Sequence, residues 1–439
     1  MRVLVYGGGA REHALWEKIH ESPLVGSVIC APGNAGIRAE HRRAVRLDDM
    51  AGLVRLAKDE RIDLAVIGPD ALLQAGLADR LREAGILAFG PSAQAARIEW
   101  SKVFTKLRCR EWGIPTADFE IATTPNDAAY IIKYRGFRVV KADGLCRGKG
   151  VIVADTEDET IAAARALFEN GAGKVVLEDC LVGHELSVIV LTDGGSSQAT
   201  AFGFSKTEYR QENLGKHIVF LPFTRDHKRL LDGDKGPNTG GMGAYGPVHI
   251  DEATLNRIKD EILVPTLRGM AARGTPFRGA LYAGIMLTRE GPKLIEYNAR
   301  WGDPETQTLL PLIESDIVPY LWAACEKGGL AKMPPLKVKP CCTVSTVLVP
   351  RGYPGECETG FPIIGVGESD PHVRIHHAGT ERIAGGMLVA SGHGRTLCVT
   401  GLGDTFPEAR KRSLDVAIAI ARRSCGMLSH RTDIAEGVE

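Results

Sequence analysis

The first hundred residues alternate short apolar runs with helix-forming segments, and few folds accommodate that alternation. Strand signals at 3–6, 25–30, 64–67 and 87–89 are separated by predicted helices that begin at about Glu12, lie near 53–59, and recur before 87. Units of this kind build a parallel sheet through right-handed crossovers. The chain has 439 residues, and single cores rarely grow beyond roughly 250 to 300 residues, so two or three domains are expected.

The pattern then changes. Residues 91–102 lead into a new region, and a helix at 101–112 is stopped by Gly113 and Pro115. From Phe137 onward the strands come closer together, at 138–141, 151–154, 175–178 and 186–191, with one helix at 157–168, an α+β arrangement. The stretch 232–246, which contains Gly236-Pro237-Asn238-Thr239-Gly240-Gly241-Met242-Gly243, is rich enough in turn formers to predict irregular structure. A helix at 255–273 precedes strands at 280–287 and 293–298, joined as a hairpin through Arg289-Glu290-Gly291-Pro292. After Pro334-Pro335 the chain is strand-rich again and closes on a helix at 407–423. The expected division is an α/β domain at 1–101, a central α+β domain at 102–328 with a smaller subdomain at about 120–190, and a strand-rich domain at 329–439.

Composition narrows the function. Lys plus Arg and Asp plus Glu both number 54, so no overall field draws the protein to nucleic acid or to an anionic membrane. Any phosphate binding must be local. The N-terminal apolar run is followed at once by glycines and reads as a first strand, not a signal peptide. No stretch approaches the roughly 18 to 20 apolar residues of a membrane helix. Ten cysteines without C-x-x-C spacing favour a reduced, cytoplasmic chain over a disulfide framework or a zinc site.

Four stretches can carry chemistry. Gly7-Gly8-Gly9-Ala10-Arg11-Glu12-His13 opens a helix after the first strand, where backbone N–H groups can hold a phosphate. The second strand ends Cys30-Ala31-Pro32-Gly33-Asn34 without a ribose-binding acid, which disfavours NAD and leaves a sugar phosphate or a ligand-free turn. Lys141-Ala142-Asp143-Gly144-Leu145-Cys146-Arg147-Gly148-Lys149-Gly150 lies between strands and so is no P-loop; its glycines admit phosphates to the backbone and its lysines offset their charge, or the lysines are merely solvated. Glu178 and Glu185 flank a strand end and a short turn, where they can accept from an adenine amino group or ribose hydroxyls, or simply face solvent. In Leu294-Ile295-Glu296-Tyr297-Asn298-Ala299-Arg300, alternation puts Glu296 and Asn298 on one face of a strand. Hard oxygen donors in that spacing suit magnesium, and Arg300 can meet a transferring phosphoryl group; the bland alternative is a polar pair at a sheet edge.

Taken together these segments resemble the phosphoribosylamine–glycine ligases of the ATP-grasp superfamily. The resemblance runs from the first strand to about Thr400. Besides the stretches above it is carried by Ala31-Pro32-Gly33-Asn34-Ala35-Gly36, Ser101-Lys102-Val103-Phe104-Thr105-Lys106, Asp226-His227-Lys228-Arg229, Leu281-Tyr282-Ala283-Gly284, Gly302-Asp303-Pro304-Glu305-Thr306-Gln307 and His377-Ala378-Gly379-Thr380. It implies an N-terminal parallel α/β domain, an ATP-grasp domain with a lid, and a strand-rich C-terminal domain. ATP would meet Lys102, Lys141, Gly148, Lys149 and Gly150, with Glu178 and Leu181 at adenine and Glu185 at ribose. Glu296 and Asn298 would hold magnesium, with manganese as the alternative ion, and Arg300, Lys149 and Asp226 would serve the chemistry. Gly8, Gly9, Arg11, Glu12, Asp226, Lys228, Pro237, Asn238, Thr239, Gly240, Gly241, Asp303 and Glu305 would border the pockets for an amino acid and a phosphosugar amine. The implied protein is cytoplasmic, a monomer or a homodimer, with no nucleic-acid or membrane partner.

Departures from the family pattern bear on the acceptors. The chain carries an insertion around 202–210, and Thr224-Arg225 replaces a small polar residue and glutamine. Cys146-Arg147 replaces two small residues, and the tail 431–435 lacks a glycine after isoleucine. A ligase that joins a different carboxylic acid to an amine therefore stands as the close rival, and a non-catalytic nucleotide-binding protein as the distant one.

Overall fold

The computed structural model describes residues 1–144, 150–195, 217–367, 370–392 and 394–439. Its first sheet runs Ser27–Pro32, Arg2–Gly7, Leu64–Ile67, Leu87–Phe89, and every pair is parallel. Strand Arg2–Gly7 is buried on both faces, as parallel strands are. Leu4 and Tyr6 enter one core with Leu53 and Ala57 of helix Met50–Asp59, while Val3 and Val5 enter another with Leu15 and Ile19 of helix Ala10–His20.

A four-stranded antiparallel sheet follows, in the order Phe119–Ala122, Val175–Glu178, Val139–Ala142, Val151–Val153. Helices Pro125–Arg135 and Glu157–Glu169 cover one face through Ile132, Ile161, Ala164 and Leu167 against Val140 and Leu177. Period two then turns Lys141 and Glu178 to the opposite face. The next sheet, Ile218–Phe220, His184–Asp193, Arg278–Thr288, Gly291–Asn298, is antiparallel throughout and shares a core with the first domain through Leu186, Val188, Leu281 and Ile285. Helix Phe406–Arg423 packs Ala417 and Ile420 against Leu348, Leu397 and Val399 of the C-terminal sheet.

Several sequence expectations change here. Residues 232–246 are not irregular: they contain strands Lys235–Asn238 and Gly243–Gly246. Strand Gly243–Gly246 pairs with Cys342–Pro350, so the C-terminal sheet begins with strands that precede it in the chain by a hundred residues. Glycine permits this approach, because a Cβ on Gly243 would stand 2.4 Å from the Ser345 carbonyl oxygen. The single helix expected at 255–273 is three segments, Glu252–Arg257, a wide turn at Ile258–Leu263, and Val264–Ala272. Pro265 lacks the N–H that a regular helix needs, and its ring would clash with the carbonyl four residues earlier. Helices Ala93–Trp100 and Pro125–Arg135 and strand Phe119–Ala122 were not anticipated. None of the described cysteines is disulfide-bonded, and no described helix is long and apolar enough to cross a membrane.

The tail closes the molecule with charge. Arg431, 1% exposed, ion-pairs with Asp234 at 2.7 Å and with Asp433 at 2.6 Å, and donates to the Arg229 carbonyl at 3.1 Å. It ties the hairpin of Arg229–Leu231 and Lys235–Asn238 to the C-terminus. Arg431→Met is expected to destabilise the fold by about 2 kcal/mol, since it strands Asp433 without its cation; urea unfolding measures the shift.

Candidate active site

A cleft of about 1180 Å³ separates the two antiparallel layers, and its lining includes Lys102, Lys141, Gly150, Glu178, Leu181, Glu185, Asp226, Lys228, Glu296, Asn298 and Arg300. Gly9, Arg11, Asn238, Thr239, Gly240, Asp303 and Glu305 line it as well. Side chains distant in sequence thus meet in one cavity. Gly148 and Lys149 lie outside the described residues, as do the 202–210 insertion and Cys146-Arg147. Gly8, Glu12, Pro237 and Gly241 are not on the cleft wall. Glu12 is buried, accepting from Gly9 N–H at 2.7 Å and pairing with Arg11 at 2.5 Å, so its task is to shape the glycine turn. Gly241, at φ +106°, lies behind the wall, where a Cβ would stand 2.8 Å from Asp226 Oδ1.

At one end of the cleft, Lys141 Nζ lies 3.0 Å from Glu178 Oε2 and donates to the Ile295 carbonyl at 3.1 Å. Lys102 opens helix Lys102–Trp112, whose N-cap hydroxyl on Ser101 accepts from Phe104 N–H, and its Nζ donates to the Gly144 carbonyl at 3.3 Å. The Ala142 N–H donates to the Gly150 carbonyl at 2.8 Å, drawing the two ends of the glycine loop together.

At the other end, Gly284 faces Glu296 across the hairpin, and Glu296 and Asn298 share a face as alternation requires. Asn298 Oδ1 accepts from Arg300 at 3.2 Å, and no hydrogen bond to a described residue occupies the Glu296 carboxylate. Burial opposes the charge on Glu296, yet Lys228, Lys141, Lys102 and Arg300 together hold its carboxyl below the usual carboxylate range. An ionised carboxylate beside an amide oxygen is a donor set that fits a hard divalent cation shared with phosphates. Arg300 is ion-paired with Glu99 at 3.2 Å; burial works against its charge, but Glu99 and Asp70 more than offset this and raise its pKa.

Asp226 and Lys228 lie on the third side. Lys228 Nζ is 2.8 Å from Glu185 Oε2, and its ammonium form is favoured by Glu185, Tyr282, Glu296 and Asp226 despite burial. Asp226 behaves in the opposite way. Burial and the nearby Glu305 carboxylate push its pKa well up, and its Oδ1 has no hydrogen-bond partner among the described residues. Arg225 donates to the Glu185 carbonyl at 2.9 Å and to Tyr245 Oη at 3.1 Å.

Sequence reasoning missed Glu99 and Arg395. Arg395, from the C-terminal sheet region, donates to Asp303 O at 2.6 Å and Oδ2 at 2.7 Å and also to the Gly240 carbonyl. No local signal marks it, because its partners lie about a hundred residues away or more.

Comparison with known proteins gives matches along nearly the whole chain. The family model described as "Phosphoribosylglycinamide synthetase, N domain" matches residues 1–99, its ATP-grasp (A) domain matches 100–207 and 213–306, and its C domain matches 343–437. The phosphoribosylamine–glycine ligase of Caulobacter vibrioides is 44% identical over 419 residues, covering 94% of this chain and 93% of that protein. That of Streptomyces coelicolor is 43% identical and covers 99% of each. Among solved structures, the Thermotoga maritima phosphoribosylamine–glycine ligase superposes with a TM-score of 0.78 at 34% identity, over 99% of this chain and 100% of that one. A biotin carboxylase from Campylobacter jejuni, 15% identical with a TM-score of 0.66 over 98% of this chain and 91% of that one, shares the fold.

The raised pKa of Asp226 has a signed consequence. A carboxyl whose pKa is higher in the folded state contributes stability that is present at low pH and is lost as pH rises through the folded value. Asp226→Asn removes that loss, so the melting-temperature difference between variant and wild type is expected to grow in the variant's favour from pH 4 to pH 8. A difference that stays flat across this range would contradict the assignment.

Proposed function

The chain belongs to the phosphoribosylglycinamide synthetase family, the phosphoribosylamine–glycine ligases, and from that premise we propose that it joins glycine to 5-phosphoribosylamine with ATP, forming glycinamide ribonucleotide, ADP and phosphate in purine biosynthesis. The observation that carries this reading is Glu296, a cleft carboxylate held ionised by four cations from four separate segments. Such a site suits a metal-bearing polyphosphate, because it supplies an anchor for the cation and cations for the phosphates.

In this reading Lys102 and Lys141 take the phosphate charge, Glu178 and the Leu181 backbone the adenine, and Glu185 the ribose. Glu296 and Asn298 hold magnesium, or manganese in its place, and that ion draws charge from the phosphate oxygens when bound. The glycine carboxylate attacks the γ-phosphorus and ADP leaves; Arg300, two residues past the end of the strand that carries the metal ligands, meets charge on the transferring group. The sugar amine then attacks the acyl carbon, the C–O bond to phosphate breaks, and the departing phosphate takes up the amine's proton. Asp226, whose environment favours the protonated form, can donate a hydrogen bond to the oxyanion that develops at the acyl carbon. Gly9, Arg11, Asn238, Thr239, Gly240, Asp303 and Glu305 border the acceptors. The protein acts in the cytoplasm as a monomer or homodimer on small molecules.

Arg225 favours glycine over a larger acid. Its guanidinium is engaged by the Glu185 carbonyl and Tyr245, leaving it little freedom to recognise an acidic side chain.

In a coupled assay, ADP and phosphate are expected only when glycine and phosphoribosylamine are both present, with alanine and serine far poorer substrates. AMP and pyrophosphate would contradict the reaction. Glu296→Ala should lower kcat by at least about 100-fold while leaving the melting temperature close to wild type.

A further inference from the structure

Lys106 has no part in the reading above, yet it is among the most deeply placed charges in the molecule. It is 3% exposed, and its Nζ lies 3.0 Å from Glu178 Oε2, the oxygen that also receives Lys141. The same ammonium donates to Thr116 Oγ1 at 2.6 Å, and that hydroxyl donates to the Leu294 carbonyl at 2.7 Å. Glu178, 2% exposed, therefore has one oxygen shared by two ammonium groups, while Oε1 is buried without a hydrogen-bond partner among the described residues. An apolar side chain of similar length would fill the space of Lys106 at a smaller desolvation cost. Burial indeed pulls the lysine's pKa down, with Glu178 opposing. The effect of this charge falls on Glu178, the group it touches.

We propose that Lys106 is a positioning residue that makes the cleft select a 6-amino over a 6-oxo purine nucleotide, by saturating Glu178 Oε2 and so presenting Oε1 as a pure acceptor to the base. The inference rests on the reading that Glu178 faces the base. An ionised carboxylate oxygen accepts from the exocyclic amino group of adenine and has nothing to donate to the O6 of hypoxanthine or guanine. A site with a fixed acceptor rejects the analogue that brings a second acceptor, because one of the two is left unpaired. Without Lys106 the carboxylate keeps one of the two contacts that fix Oε2 and is free to turn, so Oε1 is no longer held toward the base. An acceptor that is not fixed in place no longer penalises O6, and the discrimination fades.

The test is steady-state kinetics with ATP and inosine triphosphate, which differ at the 6-position, under saturating glycine and phosphoribosylamine. Lys106→Met should raise KM for ATP about tenfold with kcat within about twofold, and raise the inosine triphosphate to ATP ratio of kcat/KM by about tenfold or more. Lys106→Arg should recover most of the preference. An unchanged ratio, or a loss confined to kcat, overturns the proposal. Should Lys106→Met lose its cooperative melt, Thr116→Val keeps the lysine and removes its anchor; it should move the ratio in the same direction by a smaller factor, and an unmoved ratio overturns the proposal equally. Glu178→Ala separates the two levels. If it leaves KM for ATP unchanged, the placement of Glu178 at the base fails; if it raises KM while Lys106→Met leaves the ratio alone, only the inference about Lys106 fails.

Discussion

The strand Gly291–Asn298 fixes the two ends of the cleft with respect to each other. Its side chains at Glu296 and Asn298 point to one end, while its backbone carbonyls at Leu294 and Ile295 accept from Thr116 and Lys141 at the other. Because side chains and carbonyls of a strand project in fixed, different directions, one element sets the distance between the oxygen donors for a metal and the lysines beside Glu178. A nucleotide that reaches from one end to the other is thereby measured by a rigid ruler. Preorganisation of this kind is the main protein contribution to phosphoryl transfer, where little covalent help is needed.

The surrounding charges follow from that geometry. Burial alone would neutralise Glu296, yet it stays ionised because cations from four segments converge on it. Asp226, only a short way across the same cleft, is driven the other way by burial and by Glu305. Two carboxyls in one cavity thus have opposite protonation preferences, which suits one for holding a cation and the other for donating a hydrogen bond to developing negative charge. The cost of collecting these groups is offset outside the cleft. The first parallel sheet and the sheet that carries Glu296 share one hydrophobic core, and Asn34 donates to the His377 carbonyl at 2.6 Å, holding the N-terminal turn to the C-terminal sheet.

Much of this was legible from residues alone where the information is local. Strand alternation placed Glu296 beside Asn298, and a glycine-rich loop between two strands placed Lys141 near its mouth. The parallel first sheet followed from its alternating strand and helix signals. What was not legible depends on contacts between remote segments. Glu99 accepts from Ala299 N–H and pairs with Arg300, two hundred residues away in the chain, and nothing in its helix announces this. Lys106 falls on an ordinary helix, and its partner Glu178 is fixed only once the sheet is built. Residues 232–246 misled for a different reason. Their glycines signal turns, but at Gly243 the missing side chain lets a neighbouring strand come close, so the same residue type served sheet pairing.

In the proposed reaction one nucleotide spans this cleft, with its phosphates and metal held between Glu296, Asn298 and the lysines. A crystal structure with manganese and a non-hydrolysable ATP analogue tests it most directly, because the anomalous signal locates the metal independently of the phosphates. The expected result is a peak among the Glu296 carboxylate, the Asn298 amide oxygen and the phosphate oxygens, with adenine beside Glu178. A peak elsewhere, or a triphosphate seated on the N-terminal glycine turn with Glu296 uninvolved, would contradict it.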